Sequence, residues 1–369
     1  ISKSGQTLLT VINDILDFAR LESGKVELEQ LPFDPEELAS DVTGLFTAQA
    51  LDKRLALYCS VAPHLPQQLQ GDPTRLKQIL MNLLSNAFKF TEQGHVSLHL
   101  DGRPAGGEPD LWLLECTVSD TGIGIAEQAQ SQLFNSFTQA DSSTTRRYGG
   151  TGLGLAISQE LVRLMQGDIT LQSTQDEGTS IRVQVPLRAA EAQAPRADNP
   201  PVAALIARQS DAQLSYRLQL ERLGYRVISQ PDSEADDYEL LLIDCQGIAV
   251  DQLQPLISAG HAPILLLRAA DDHRPLLPGK GALLEQTTPL LPAQLRELLR
   301  QLLAPPPPGD KQLASGDLQP VARGHLLVAE DNPVNQLVVR SLLEKAGYSV
   351  EIAENGAEAL QRYRDAPAS

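Results

Sequence analysis

Asn82-Leu83-Leu84-Ser85-Asn86-Ala87-Phe88-Lys89-Phe90 closes a run that opens at Asp72-Pro73. Asp is a strong helix N-cap and Pro is tolerated at the first helical position, so residues 73–90 are expected to form one helix. Asn82, Asn86 and Lys89 then fall at i, i+4 and i+7, a stripe along one face, while Ile79, Leu80, Leu83 and Leu84 cover much of the rest. Two carboxamides and an ammonium in line can engage a metal ion and phosphate oxygens together. Alone, the same stripe fits an ordinary solvated helix face.

Working outward, Asp120-Thr121-Gly122-Ile123-Gly124-Ile125 follows the apolar strand of residues 111–119. A carboxylate at a strand end can accept a hydrogen bond from a purine amino group, and glycines beside it let backbone approach the ring. Alone, an Asp-Gly pair after a strand is usually just a turn. Farther on, Gly149-Gly150-Thr151-Gly152-Leu153-Gly154-Leu155 opens a helix expected over residues 155–165. A glycine-rich turn there points free N–H groups and the positive end of the helix dipole at a phosphate. The Gly150, Gly152, Gly154 spacing is not the dinucleotide fingerprint.

In this order the three elements resemble the N box and glycine boxes of the histidine kinase catalytic domain. Phe134 to Phe137 stands at the F-box position and Gly178-Thr179 at a last, minor glycine box. The resemblance implies a Bergerat/GHKL-type α/β sandwich, one layer of helices on a mixed sheet, over residues 29–189. It implies ATP and Mg²⁺ as ligands, with Asn82 on the metal and Asn86 and Lys89 on phosphate oxygens. Phe90 would line the adenine pocket, Asp120 would read the base, and Gly122, Gly124 and Ile125 would form the floor, with Thr179 nearby. Gly150, Thr151, Gly152, Leu153 and Gly154 would close over the triphosphate, and Arg146 or Arg147 would offset charge on the transferring group. Gyrase-type and chaperone ATPases of the same fold carry a glutamate where Asn82 stands. An amide cannot act as a general base, so Asn82 favours transfer to a protein histidine over hydrolysis.

Upstream, Leu8, Ile12, Ile15 and Ala19 recur at helical spacing, an amphipathic stripe that needs a partner helix. Residues 12–25 resemble the second helix of a dimerisation and phosphoacceptor domain, so residues 1–28 are expected to belong to a four-helix bundle and the protein to be a homodimer. None of the six histidines precedes an acidic residue in the expected phosphoacceptor motif. They read as structural, and the acceptor histidine is expected one helix upstream of Ile1.

Residues 190–200 are rich in Ala, Pro and charge, a linker by composition. Beyond them, short apolar runs alternate with helical ones over residues 201–304, the pattern of a parallel, doubly wound, flavodoxin-like sheet. A Pro-rich linker spans residues 305–323, and residues 324–369 repeat the start of that pattern: Gly224-Tyr225-Arg226-Val227 matches Gly347-Tyr348-Ser349-Val350. Glu330-Asp331, after the last unit's first strand, resembles the Mg²⁺-binding acidic pair of a response-regulator receiver, whose phosphoacceptor would lie past Ser369. In the preceding copy the pair is replaced by Arg208-Gln209, although Asp244 holds the phosphoacceptor position. Arg268 stands where threonine or serine is expected, and Thr288-Pro289 replaces Lys-Pro. This predicts a pseudo-receiver that serves docking or regulation.

Together these resemblances imply a fragment of a bacterial hybrid sensor histidine kinase. Its phosphoryl group would pass through a receiver to a phosphotransfer protein or domain and a downstream response regulator. The rival expectation is a non-enzymatic family member that pairs with another kinase; a free ATPase is disfavoured by Asn82. A net charge of −17 with scattered Lys and Arg excludes electrostatic binding to nucleic acid or an anionic membrane. No apolar run approaches the roughly 18–20 residues a membrane span needs, so attachment to the bacterial inner membrane is expected only through upstream segments. Cys59, Cys116 and Cys245 sit in separate apolar runs and are expected to be buried free thiols.

Overall fold

In the computed structural model the described residues are 21, 26–108, 110–130, 133–134, 153–190, 199–229, 237–259, 262–275, 282–303, 325–329 and parts of 336–362. The chain divides into two compact units, Ile1–Ala304 and Pro305–Ser369.

The first half of the larger unit is built on a seven-stranded mixed sheet. Its strands are β1 (Leu31–Phe33), β2 (Ala56–Val61), β3 (Leu69–Gly71), β4 (His95–Pro104), β5 (Leu111–Asp120), β6 (Asp168–Thr174) and β7 (Gly178–Ala189). They run β1-β3-β7-β5-β4-β2, with β6 paired to the start of β7 and β3 to its end. Burial alternates along β4 and β5, so Val96, Leu98, Leu100, Leu114, Cys116 and Val118 all enter one core. The helices that cover that face are α1 (Pro35–Gly44), α2 (Thr47–Lys53), α3 (Pro73–Phe90) and α5 (Gly154–Leu164); α4 (Glu127–Gln130) is a single turn. The sandwich expected from the kinase resemblance is the one observed.

Helix α3 starts as its sequence dictates: the Asp72 carboxylate accepts from Arg75 N at 2.9 Å, and Pro73 follows. Leu76, Ile79, Leu80, Leu83, Leu84, Ala87 and Phe88 are its buried side. Pro35 to Leu51 reads in the sequence as a single helix, and the structure corrects this: the stretch forms two helices. The chain breaks after Gly44, and Phe46 turns inward to stack on Phe88 with ring centroids 5.1 Å apart. Burying a stacked ring outweighs continuing one helix through glycine. The strands β1 and β3, three residues each, are too short to leave a periodic signature in the sequence.

The second half carries β8 (Val202–Ile206), β9 (Arg226–Ser229), β10 (Leu240–Asp244), β11 (Ile264–Arg268) and β12 (Leu283–Thr287). With them come α6 (Ser210–Arg222), α7 (Val250–Ala259) and α8 (Pro292–Leu302). All pairings are parallel, in the order β12-β11-β10-β8-β9, a flavodoxin-like arrangement with its switch point between β8 and β10.

The two halves share packing. Tyr58 of β2 sits in the same apolar cluster as Leu205, Tyr216, Leu220 and Leu295, and meets the Tyr216 ring edge-on at 6.3 Å. Helix α6 covers the outer edge of β2, where Ser215 Oγ and Gln219 Nε2 both donate to the Cys59 carbonyl, at 3.1 and 2.7 Å. A sheet edge is a row of unpaired backbone groups, and here side chains of α6 supply donors to it.

In the smaller unit β13 (His325–Ala329) and β14 (Ser349–Ala353) pair in parallel, in register from His325↔Ser349 to Ala329↔Ala353. A parallel pair requires a crossover connection between the strands. No helix among the described residues is long and apolar enough to cross a membrane.

Candidate functional site

Helix α3 carries the candidate residues from one end of the site to the other. Asn82 Nδ2 lies 3.3 Å from the Gly154 carbonyl and 3.4 Å from Ser158 Oγ, so the helix touches the first turn of α5. A Cβ at Gly154 would sit 3.7 Å from the Asn82 amide carbon, an ordinary van der Waals contact, so the two helices meet closely here without excluding a side chain. With its nitrogen turned to α5, the Asn82 oxygen is the part of that side chain able to meet a hard cation. Leu153 is buried in the core immediately before Gly154. Eight residues and about 12 Å along the helix, Phe90 meets the loop after β5, where its carbonyl accepts from Ile123 N at 3.3 Å. Asn86 and Lys89 lie between these ends, half-buried. The Lys89 ammonium stands 4.8 Å from the Phe90 ring centroid, and burial lowers its pKa.

Asp120 ends β5, in register with Val96 of β4 and Thr179 of β7. Burial raises its carboxyl pKa, against the opposing effect of the Gly122 N–H, which donates to Oδ1 at 2.8 Å. Two glycines pack where no side chain fits. A Cβ on Gly122 would lie 2.5 Å from the Phe90 carbonyl, and one on Gly178 (φ +130°) 2.0 Å from the Asp120 carbonyl. Gly124, at φ +59°, brings Ile125 N to 2.9 Å from Ser173 Oγ. Ser173 also contacts Thr179 Oγ1 at 2.9 Å, so the floor residues and the minor glycine box share one network.

Thus Asn82, Lys89, Phe90, Asp120, Gly122, Gly124, Ile125, Gly154 and Thr179 lie along a stretch formed by α3, the first turn of α5, the β5 loop and the start of β7. Arg146, Arg147, Gly150, Thr151 and Gly152 lie outside the described residues, as do Glu330, Asp331 and nearly all of the N-terminal helix. Sequence reading misses Thr91, whose hydroxyl favours the ionised Asp120, and Ser173, which ties the floor together. Single hydroxyls at a helix end or on a strand carry no signal that separates bracing from solvation.

At the second sheet's switch point the replacements are tied into other contacts. Arg208 donates to Gln252 at 2.6 Å, and Gln209 accepts from the Tyr58 hydroxyl at 2.6 Å. Arg268 bonds Glu285 and Asp272, and Asp272 is held well below the usual carboxylate range by Arg274. Asp244 is 3% exposed, and burial pushes its pKa up to about 6. A cleft of about 300 Å³ at this end of the sheet is lined by Leu205, Ala207, Arg208, Gln213, Ile248 and Gln252, with no carboxylate to hold a divalent cation. The three cysteines are buried and free, each with its thiol pushed up to about 12 by burial.

Comparison with known proteins agrees with this geometry. Residues 71–189 match the family described as histidine kinase-, DNA gyrase B-, and HSP90-like ATPase. The signal transduction histidine-protein kinase BarA of Shigella flexneri is 32% identical over 398 residues, covering 100% of this chain and 41% of that protein. The sensor histidine kinase GacS of Pseudomonas protegens is 31% identical over 393 residues, covering 100% of this chain and 42% of its own length. RcsC of Salmonella typhimurium is 30% identical, covering 97% and 37%. The chain therefore spans about two fifths of the relatives it matches. The crystal structure of full-length ShkA in complex with AMPPNP superposes with a TM-score of 0.64 at 29% identity, over 97% of this chain and 74% of ShkA. The ATPase match falls on the stretch that holds Asn82, Asp120 and Gly154, and the chain as a whole is similar to a fragment of the bacterial hybrid sensor histidine kinases.

Proposed function

We propose that this chain binds Mg-ATP between α3 and the Asp120 loop and carries the catalytic part of a phosphorelay kinase. The γ-phosphoryl group would go to a histidine outside these residues, then to a receiver aspartate, and on to a phosphotransfer partner and response regulator. The parent protein would be a homodimer at the cytoplasmic side of the bacterial inner membrane. The observation that carries this reading is the Asn82–Gly154 contact, which sets an amide against the glycine-bearing start of α5.

In this scheme the Asn82 oxygen would hold Mg²⁺, and the ion would neutralise charge on the β- and γ-phosphates. Asn86 and Lys89 would take phosphate oxygens. Burial eases the loss of the Lys89 proton, so contact with a polyanion would restore its full charge. Asp120 would accept from the adenine amino group. Arg146 and Arg147 would act at the transferring phosphoryl, with Gly150, Thr151 and Gly152 over the triphosphate. No group at Asn82 can take a proton from water, so the site favours positioning over hydrolysis. In boundaries, residues 29–189 would be the catalytic domain and 201–304 a pseudo-receiver. The segment 324–369 would begin a receiver whose Glu330 and Asp331 hold Mg²⁺.

The test measures Mg-ATP binding by the full chain, comparing wild type with Asp120→Asn and Asn82→Ala. Loss of a charge-assisted hydrogen bond of about 1.5–3 kcal/mol should weaken Asp120→Asn roughly 10- to 150-fold. Equal affinity in all three proteins would refute the site. Acetyl phosphate should leave Asp244 unlabelled by mass spectrometry.

A further inference from the structure

Helix α6 reaches the candidate adenine end through a short chain of contacts. Its first turn supplies Asp211, whose Oδ2 lies 2.7 Å from His95 Nε2. The residue before the helix, Gln209, accepts from Tyr58, and the Tyr58 and His95 rings lie 5.7 Å apart. His95 is the first residue of β4, and its backbone is clamped by Thr121. Thr121 Oγ1 accepts from His95 N at 2.9 Å, and Thr121 N donates to His95 O at 3.2 Å. Gly94 permits this closeness: at φ +98°, a Cβ there would fall 2.1 Å from Thr121 Oγ1. Thr121 directly follows Asp120, which is itself paired with Val96 across the β4–β5 ladder.

We propose that His95 and Asp211 are positioning residues, through which docking of the pseudo-receiver on β2 and β4 sets the placement of Asp120 and hence the affinity for the purine base. The inference rests on Asp120 being the adenine reader. Its physical content is a lever of three links. Asp211 fixes the His95 ring, the His95 backbone fixes Thr121, and the peptide bond from Thr121 to Asp120 carries that position to the residue bearing the carboxylate. No part of the lever touches the phosphate end at Asn82, so its release should act on base recognition alone. The pseudo-receiver would thereby tune nucleotide binding without being phosphorylated, by the presence or absence of its docked first turn. Side-chain changes along such a path shift coupling by about 0.5–2 kcal/mol, or about 2- to 30-fold in affinity.

The experiment uses the full chain and two probes, Mg-AMPPNP and Mg-GMPPNP, with binding read calorimetrically. Asp211 is near half-exposed, with 45% of its side chain accessible, so Asp211→Asn leaves the fold intact. The expected result is a loss of about 2- to 30-fold for AMPPNP, no change for GMPPNP, and recovery in Asp211→Glu. Equal losses for both nucleotides would show a merely structural role and overturn the proposal. Unchanged AMPPNP affinity in Asp211→Asn, beside a large loss in Asp120→Asn, would overturn the coupling and leave the adenine assignment standing. No loss in Asp120→Asn would overturn both.

Discussion

Replacing Arg222 by alanine should loosen the parallel-sheet half from the ATPase half, and the structure sets the size of the effect. Arg222 ends α6 with its side chain only 8% exposed. Its Nε donates to Glu36 Oε2 at 2.8 Å, and its Nη1 donates to the Ala62 and Leu65 carbonyls, each at 3.0 Å. Glu36, 4% exposed, also accepts from Arg296 of α8 at 2.6 Å. Breaking a buried ion pair from one side costs about 3–5 kcal/mol, because the remaining charge stays buried. Arg296 still faces Glu36, which puts the expectation near the lower bound, about 3 kcal/mol. A domain of this size loses about 2 °C of midpoint per kcal/mol, so calorimetry of the full chain should show a fall of about 6 °C. Glu36→Gln should cost a comparable amount, and the double variant less than the sum, with a coupling energy above about 1 kcal/mol. A midpoint within about 1 °C of wild type, outside the range these magnitudes allow, would refute the claim that this buried cluster anchors the two halves.

Asp244→Asn should stabilise the protein at neutral pH. Its folded pKa of about 6 lies above the ordinary 3.8, so the folded state favours the protonated acid. That contribution is complete below pH 3.8 and is lost as pH rises through about 6. At pH 7.5 the ionised carboxylate therefore costs about 3 kcal/mol, which Asn removes while still accepting from the Gln246 N–H. Unfolding midpoints that differ at pH 7.5 and converge near pH 4 would bear this out; a constant offset would not. Gly178→Ala should destabilise by about 1–3 kcal/mol or more, since φ +130° and a 2.0 Å approach to the Asp120 carbonyl both oppose a Cβ. Gly106→Ala, with open space around it, is the matched control in urea titration and should be near neutral.

The features legible in the amino-acid sequence are local ones. The Asp72-Pro73 start of α3 and the i, i+4, i+7 stripe of Asn82, Asn86 and Lys89 rest on relations within a few residues, which periodicity exposes. Asp120 followed by glycines is legible for the same reason, as is the turn at Asp176 and Gly178, both at positive φ. The alternation of apolar runs and helices likewise signals the second sheet and its parallel order.

The contacts that join the two halves are of another kind. Glu36 meets Arg222 across 186 positions and Arg296 across 260. Each is ordinary in its local setting: Glu36 stands in the first turn of α1, and Arg222 in the last turn of α6. Acids at helix starts and bases at helix ends complement the helix dipole wherever they occur, so each has a sufficient local explanation that conceals its partner. Gln209 shows the same ambiguity at a site of altered chemistry. As a replacement for an expected acid it signals a lost cation site, but nothing adjacent to it reveals that its amide oxygen receives the Tyr58 hydroxyl. The departure from the expected acid is visible in the sequence, whereas the hydrogen bond that Gln209 makes depends on a residue 151 positions away. The departures at Arg208 and Gln209 are therefore legible from the sequence of this half alone. The packing of α6 on β2 becomes apparent only when the surface opposite is known.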